Sequence, residues 1–216
     1  MKQSGSVISA PQENGKEERV SRIIAASLEV FSEFSFQDAT TGEIARRARV
    51  SKRDIYAHFP DKHALLIATL NKALQTEVSN IAGAIARTQN VRSLQKRLEI
   101  IGLTLIDEVL SAAMSVLTRL VASESINRPL IGTVYFENGP VQRTLLISEV
   151  LSSHCKNNKA KSSDVSQAAE HYLALVTYQP TLTTSMGMRE MWDLKAVQTH
   201  VVSSVECFLT AYPGFA

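Results

Sequence analysis

Residues 93–125 form a long segment that contains no proline and only one glycine, and its apolar residues recur at helical spacing. The other long stretches between the 9 glycines and 6 prolines lack the strict alternation that half-buried strands require. A chain of 216 residues, of which 44% are apolar, can bury a sizeable core. The sequence therefore predicts an all-α protein.

The N-terminal third contains the spacing of several short helices. Apolar residues from Val20 onward follow one helical stripe and predict a first helix over residues 17–34. Thr40 and Glu43 have the spacing of a capping box and predict the start of a second helix, which has a narrow face of small residues. That second helix can therefore pack closely against a neighbour.

A second capping box follows almost at once. Ser51 and Asp54 predict a short third helix that carries Ile55 inward, and Asp61 is placed to cap a longer fourth helix. The second and third helices are separated by a predicted four-residue turn over residues 47–50. This arrangement predicts a helix-turn-helix motif.

The C-terminal part predicts further helices. Residues 93–125 should form two helices, and prolines and glycine near residues 129–140 should make the next helices short or kinked. Later helices are predicted over residues 141–157, residues 164–178 with Pro180 closing the helix, and residues 193–212. We divide the chain into a mobile tail (1–16), a helix-turn-helix domain (17–62), a connecting helix (63–78) and a C-terminal helical domain (79–216).

Several classes of protein are disfavoured by composition. No apolar run approaches the roughly 18 residues that span a bilayer, and the N-terminus lacks the apolar core of a secretion signal. The two cysteines, Cys155 and Cys207, are too few for a disulfide framework. A metal sensor could be suggested by His154, Cys155, His171, His200 and Cys207, but these residues are not at paired ligand spacing within one element. Neither a metal nor a cofactor is therefore predicted. We expect a cytoplasmic protein with no membrane partner.

The positive charge of the chain is concentrated in one segment. Residues 43–62 contain six Lys or Arg and three acidic residues, which gives +3, whereas the remaining 17 basic and 18 acidic residues sum to −1. A local basic cluster is typical of a nucleic-acid footprint, although a solvated helix face is the common alternative for so short a run.

The third helix is the one that a helix-turn-helix places in the DNA major groove. At 100° per residue, Arg53 points directly away from the buried Ile55, and we expect it to read guanine through a bidentate contact. Lys52 could reach a base or a phosphate. Asp54 could accept a hydrogen bond from cytosine, but its capping role is the favoured interpretation.

Phosphate contacts need short donors around the groove. The candidates share a position at the ends or shoulders of the predicted helices, and they are Thr40, Thr41, Tyr56, His58 and Lys62. Each also has a plain structural interpretation: Thr40 as a cap, Tyr56 and His58 as packing at the rim, and Lys62 as a solvated side chain. Arg46 and Arg47, on the supporting helix, have a solvated role as their main interpretation.

Residues 40–66, TTGEIARRARVSKRDIYAHFPDKHALL, resemble the DNA-binding region of the TetR family of transcriptional regulators. The shared pattern comprises a Thr pair, Ile-Ala, a turn ending in Val-Ser, Ile-Tyr, an aromatic position filled by His58, a Phe, and a Lys before Leu-Leu. Residues 22–36, RIIAASLEVFSEFSF, resemble the first helix of that family. In the C-terminal half, LTRLVASES, FENGP and AAEHYLALV resemble the AefR-like subgroup.

Two positions depart from the family pattern. Arg49 in the turn and Ser35 after the first helix stand where glycine is common. If either backbone requires a positive φ, a side chain there costs on the order of 1 kcal/mol.

The resemblance implies a homodimer that binds palindromic operator DNA through its N-terminal domain and is released by a small molecule in its C-terminal domain, most simply as a repressor. We expect the last two helices to form the dimer interface as a four-helix bundle. The residues alone leave two alternatives open, a helical protein-binding adaptor and an all-α enzyme with an unrecognised site.

Overall fold

The computed structural model describes residues 11–154 and 162–215, and it describes side chains within residues 15–154 and 164–215. The described part contains no strand, and the prediction of an all-α fold is confirmed. Its ten α-helices are α1 (Pro11–Glu33), α2 (Thr41–Ala48), α3 (Lys52–His58), α4 (Lys62–Arg87), α5 (Leu94–Leu110), α6 (Ala112–Glu124), α7 (Pro129–Asn138), α8 (Pro140–Ser152), α9 (Ser162–Ser185) and α10 (Leu194–Ala211). Two 3₁₀ helices lie at Arg189–Met191 and Pro213–Phe215.

The chain divides into two compact units, Met1–Thr69 and Leu70–Ala216. Helix α4 contributes residues to both, and it extends to Arg87, nine residues beyond the predicted end of the connecting helix at residue 78. The predicted four-part division of the chain stays a prediction.

The N-terminal unit is built on helices α1 to α3. Helix α1 begins at Pro11, inside the predicted tail, whereas residues 1–10 lie outside the described residues. Its apolar stripe buries Ile23 and Phe31, and α2 and α3 bury Ile44 and Ile55. Because α2 is already helical through Ala48, the turn before α3 comprises only three residues, 49–51, rather than the predicted four.

The C-terminal unit has its core around α5, α9 and α10. Gly102 lies where these helices approach one another, because a Cβ built on it would come within 3.0 Å of Val201 Cγ1 and 3.2 Å of the Tyr172 hydroxyl. Tyr172 is fully buried and donates a hydrogen bond of 2.7 Å to the carbonyl of Leu98. A side chain at position 102 would therefore require Val201 and Tyr172 to shift by a few tenths of an ångström.

Helix α9 contradicts the prediction that Pro180 closes it, because the helix continues through Pro180 to Ser185. A proline inside a helix removes the N–H that would bond to the carbonyl four residues earlier, here that of Val176. In this fold His200 Nε2 donates to the Val176 oxygen at 3.0 Å, and the hydroxyl of Ser204 donates to the neighbouring Leu175 oxygen at 3.1 Å. Two side chains of α10 thus stabilise the interrupted helix.

The other C-terminal helices begin and end near the capping residues and prolines of the sequence. Ser111 ends α5 and caps α6, and α7 and α8 begin at Pro129 and Pro140, where the absent N–H has no helical partner. Helix α8 ends at Ser152, and the predicted extension to residue 157 falls partly outside the described residues. Over the described ranges no single helix has both the length and the apolarity to cross a membrane, and only α5 and α6 taken together, bent by 66°, meet that test.

Candidate nucleic-acid interface and ligand cavity

Helix α3 is held at its first turn and at its centre. The Ser51 hydroxyl accepts the Asp54 backbone N–H at 3.1 Å, while a carboxylate oxygen of Asp54 accepts the Ser51 backbone N–H at 2.9 Å. Ile55 is only 1% exposed and fixes the rotation of the helix about its axis. The predicted capping box and the predicted buried residue are both present, so the outward face of α3 is determined by local sequence.

The exposed surface of α3 carries two cations. Lys52 and Arg53 are exposed, and neither side chain hydrogen-bonds or ion-pairs with another residue in the part of the chain that the structure describes. Lys52 lies over the start of α2, since a Cβ built on Gly42 would be 3.2 Å from its ammonium. Two unengaged cations at the exposed surface of α3, Arg53 on its outward side and Lys52 at its start, are available to an external anion.

Tyr56 and Thr41 form a polar pair beside these cations. Tyr56 is 53% exposed, and its phenolic oxygen lies 3.1 Å from the Thr41 hydroxyl. The pair joins α3 to the first turn of α2. Two hydroxyls in contact leave at least one lone pair and one proton free for a phosphate oxygen.

Asp54 has its carboxylate engaged within the fold. Besides closing the capping box it forms an ion pair of 3.2 Å with Arg19 of α1. The hydrogen bonds from the Ser51 hydroxyl and backbone, with Arg19 nearby, lower the pKa of this carboxyl. These contacts favour the capping interpretation over a contact with cytosine.

Thr40 and His58 also make contacts within the domain. The Thr40 hydroxyl accepts the Glu43 backbone N–H at 3.1 Å and so caps α2. His58 is half-buried, and its ring meets the Phe59 ring edge-on at a centroid distance of 6.3 Å. Both remain near the exposed face of α3, and their phosphate contacts stay predictions.

Lys62 differs from its predicted role as a phosphate contact or a solvated side chain. Its ammonium donates to the carbonyls of Ala39 at 2.9 Å, Gln37 at 3.2 Å and Phe36, and it lies 4.6 Å from the centroid of the Phe36 ring. An ammonium has three donors, and all three are satisfied here. Lys62 therefore holds the loop between α1 and α2 and has no donor left for DNA.

Arg47 joins α1 to α2 rather than lying in solvent. Its guanidinium donates to Glu33 of α1 at 2.7 Å and to Glu43 of its own helix at 2.8 Å. Arg46 also donates to Glu43, at 2.7 Å, but is largely exposed. The two arginines lower the pKa of the Glu43 carboxyl to about 2. The predicted solvated role thus describes Arg46 and is wrong for Arg47.

Arg49 adopts the conformation that its position suggested. Its φ of 55° and ψ of 47° lie in the left-handed region. The Val50 N–H bonds to the Ala45 carbonyl at 3.0 Å and the Arg49 N–H to the Arg46 carbonyl at 3.3 Å, which is a Schellman ending. Ser35 has no positive φ; its hydroxyl bonds to Asp38 at 2.7 Å and stabilises the loop instead.

The C-terminal unit contains a cavity of about 450 Å³ that is partly open to the surface. This volume lies within the range of small-molecule sites. The walls come from six helices, α4 to α9, and combine apolar groups, many hydroxyls and two charged side chains. The lining residues are Glu77, Val109, Met114, Ser115, Thr118, Tyr135, Pro140, Arg143, Ala174, Thr177, Tyr178, Thr181, Leu182, Thr184 and Ser185.

The cavity wall contains one buried ion pair. Arg143 Nη1 lies 3.3 Å from Glu77 Oε1, and the two side chains are 11% and 1% exposed. Burial raises the pKa of Glu77, Arg143 opposes that shift, and Glu108 adds to it. Glu77 Oε2, Arg143 Nε and the Thr184 hydroxyl are buried without a hydrogen-bond partner among the described residues.

No group of three or more His, Cys, Asp or Glu side chains converges as metal ligands within the part of the chain with described side chains. Cys155, one of the five residues considered for a metal sensor, lies outside that part.

Two family models match the chain. Residues 23–69 match the bacterial regulatory proteins of the tetR family, and residues 96–214 match the AefR-like transcriptional repressor C-terminal domain. The second match alone spans more than half of the chain. The chain belongs to the TetR family of transcriptional regulators. Both the predicted family and the predicted AefR-like C-terminal region are confirmed, and the enzyme alternative is excluded.

Known proteins resemble this TetR-family chain over part of its length. The HTH-type transcriptional activator FasR of Mycolicibacterium smegmatis is 35% identical over 77 residues, 36% of this chain and 35% of that protein. HTH-type transcriptional regulator HbdR of Aromatoleum sp. is 43% identical over 60 residues, 28% of this chain and 26% of that protein. The matched stretch thus spans about a third or less of these relatives.

Solved structures resemble the fold over nearly its full length. A TetR-family regulator structure from Mesorhizobium loti aligns with a TM-score of 0.84 at 19% identity, covering 91% of this chain and 97% of that one. Similarity at this level of identity concerns the fold alone.

Sequence reasoning missed the cavity and its ion pair. Glu77 and Arg143 are 66 positions apart in the chain, and neither belongs to a motif. The one available indication was that each stands among apolar residues of a predicted helix, which is an uncommon place for a charge.

Proposed function

We propose that this TetR-family regulator is a cytoplasmic homodimer that represses transcription from a palindromic operator and is released by a small molecule. The observation that carries the proposal is the exposed surface of α3, where Arg53 lies opposite the buried Ile55 and Lys52 lies at the helix start, both unengaged within the described residues. A rigid helix with free cations at its exposed surface suits entry into the major groove.

We assign the DNA contacts according to which hydrogen-bond donors of each side chain are not used within the fold. Arg53 reads guanine through its O6 and N7 atoms, and Lys52 contacts a neighbouring base or phosphate. Tyr56 and Thr41 bind a phosphate together, with Thr40 and His58 at its edges. Asp54 and Lys62 act by positioning α3 and the preceding loop, because their polar atoms are already engaged.

Dimerisation through α9 and α10 is supported by exposed apolar side chains on these helices. Leu175 and Tyr178 on α9 and Val202 on α10 are 37%, 68% and 40% exposed. Burying such a face against its two-fold copy would form a four-helix bundle. Two recognition helices about 34–36 Å apart would then meet successive major grooves.

The effector response rests on helix α4. This helix begins at Lys62, which holds the loop between α1 and α2, and it places Glu77 in the cavity wall. A ligand that contacts Glu77 therefore acts on a helix shared by both units. It lowers operator affinity only if it binds the DNA-incompetent state more tightly than the competent one.

The test begins with a sequence-selection experiment on the purified full-length chain, followed by binding to the selected DNA at physiological salt. We expect a palindromic consensus whose half-sites are one helical turn apart, and a dimer in sedimentation. A protein that selects no sequence would contradict operator binding. Transcription in vitro from a promoter that contains the operator then separates repression from activation, the role that the name of FasR records for that relative.

A further inference from the structure

We propose that the effector is an electrically neutral molecule with an apolar body and a hydroxyl group, and that the hydroxyl binds the buried Glu77–Arg143 pair. The inference rests on the proposed effector response for its regulatory meaning. Binding itself depends only on the cavity.

The apolar part of the ligand is inferred from the side chains that line the cavity. Apolar and aromatic surface comes from four helices, through Val109 on α5, Met114 on α6, Tyr135 on α7, and Tyr178 and Leu182 on α9. Apolar surface of this kind favours an apolar ligand, because transfer of its surface from water into the cavity is stabilised by the hydrophobic effect. The ligand is therefore mostly hydrocarbon or aromatic.

The net charge of the ligand follows from the ion pair. Glu77 and Arg143 are the only Asp, Glu, Lys or Arg residues in the described lining, and their charges cancel. An ionic ligand would lose its hydration without meeting an uncompensated opposite charge. A carboxylate would in addition approach Glu77, which already experiences repulsion from Glu108. A neutral molecule avoids both costs.

The polar group of the ligand follows from the atoms without partners. Glu77 Oε2 is an acceptor without a donor, and Arg143 Nε is a donor without an acceptor. Buried polar groups of this kind are rarely left unpaired in folded proteins. A hydroxyl both donates and accepts, so it suits Glu77 Oε2 and leaves its own oxygen available to a donor such as Arg143 or Thr184.

The experiment uses matched probes that differ only in the polar group. Calorimetry on the full-length protein compares 4-phenylphenol, 4-methoxybiphenyl and biphenyl-4-carboxylate, and then 1-decanol, 1-methoxynonane and decanoate. We expect each alcohol or phenol to bind at least about tenfold more tightly than its ether and its acid, because only the hydroxyl donates to the carboxylate. Equal affinities, tighter binding of an acid, or no binding by any probe would overturn the inference.

The matched variant replaces both charges at once. The double substitution Glu77→Leu with Arg143→Met avoids an unpaired buried charge, and such replacements of buried ion pairs often preserve folding. We expect this variant to retain ether binding and to lose the hydroxyl preference, whereas Glu149→Leu on the exposed face of α8 keeps it. A preference that survives in the double variant would also overturn the assignment to this pair.

Failure of the inference and failure of the proposed function have different readouts. Operator release by the same probes is measured separately on the selected DNA. Binding with the expected preference but without release supports the ligand class and contradicts the effector response. Release by acids or ethers as readily as by alcohols contradicts the ligand class and supports the effector response.

Discussion

His200 donates a hydrogen bond to the carbonyl oxygen of Val176, the acceptor that Pro180 leaves without its helical partner. Val176 is fully buried, so no solvent molecule replaces the missing N–H. Local sequence at Pro180 favours a helix end, and a side chain 24 positions later in the chain allows the helix to continue.

Replacing His200 by Leu should cost about 1–3 kcal/mol of stability, because it leaves a buried carbonyl unsatisfied. In a Pro180→Ala background the restored N–H pairs with Val176, so the same substitution should cost clearly less. Urea unfolding of the four proteins in this double-mutant cycle measures the difference. Equal costs in the two backgrounds would show that His200 does not compensate for the proline.

Lys62→Met should lower the unfolding free energy by about 1.5–3 kcal/mol, because three carbonyls lose a charged donor. DNA affinity should fall with it, but the slope of log affinity against log salt should stay unchanged. Lys52→Met is the matched control, and we expect unchanged stability with a slope smaller by about 0.9. A reduced slope at full stability in Lys62→Met would instead support a phosphate contact.

Arg53→Ala should cost roughly 1–3 kcal/mol of operator binding and should relax preference at one base pair of each half-site. The measurement compares affinities for single-base variants of the selected operator. Arg46→Ala controls for loss of charge in the same domain, since Arg46 is exposed and paired with Glu43. Equal loss on every operator variant would rule out base reading by Arg53.

Arg49→Gly should raise stability by about 0.5–1 kcal/mol, since glycine adopts the left-handed conformation without strain and loses only part of this gain to its greater freedom when unfolded. Arg46→Gly, on helical backbone, should lower stability instead. Chemical denaturation of both variants tests the contrast. Destabilisation by Arg49→Gly would mean that the arginine side chain makes a compensating contact.

Glu43→Gln should change how stability depends on acidity. The folded pKa of Glu43 is about 2, below the ordinary value of about 4.3, so its pairing stabilises the fold above pH 4.3 and is lost as pH falls towards 2. The stability gap between wild type and variant should therefore narrow across that window. It should also shrink in high salt, because the pair is exposed. A gap independent of pH would contradict the Glu43 pairing.

The features that could be predicted from the sequence depend on contacts between residues that lie close together in the chain. Ser51 and Asp54 are three residues apart and form the capping box that their spacing indicated. Asp193 caps α10 more simply, by accepting the backbone N–H of Ala196. Ile55 then determined which side of α3 is outward. These contacts depend on one turn of helix, so a short window of sequence contains them.

The remaining contacts join distant parts of the chain. Lys62 contacts carbonyls 23 to 26 positions earlier, Arg47 contacts Glu33 on another helix, and Glu77 pairs with Arg143. Carbonyl acceptors are present at every residue and carry no sequence pattern. The ion pair required the packing of α4 against α8 to be known, and this depends on the whole C-terminal core.

The fully buried Tyr172 gives the C-terminal unit an internal optical reporter. Burial raises the pKa of this phenol far above the ordinary value, so the folded protein keeps it protonated in alkali while the unfolded chain ionises it near pH 10. Stability must therefore decline as pH rises beyond that value. A cooperative step in tyrosinate absorbance, as Tyr172 ionises on unfolding, would mark the pH at which the helices around Gly102 separate.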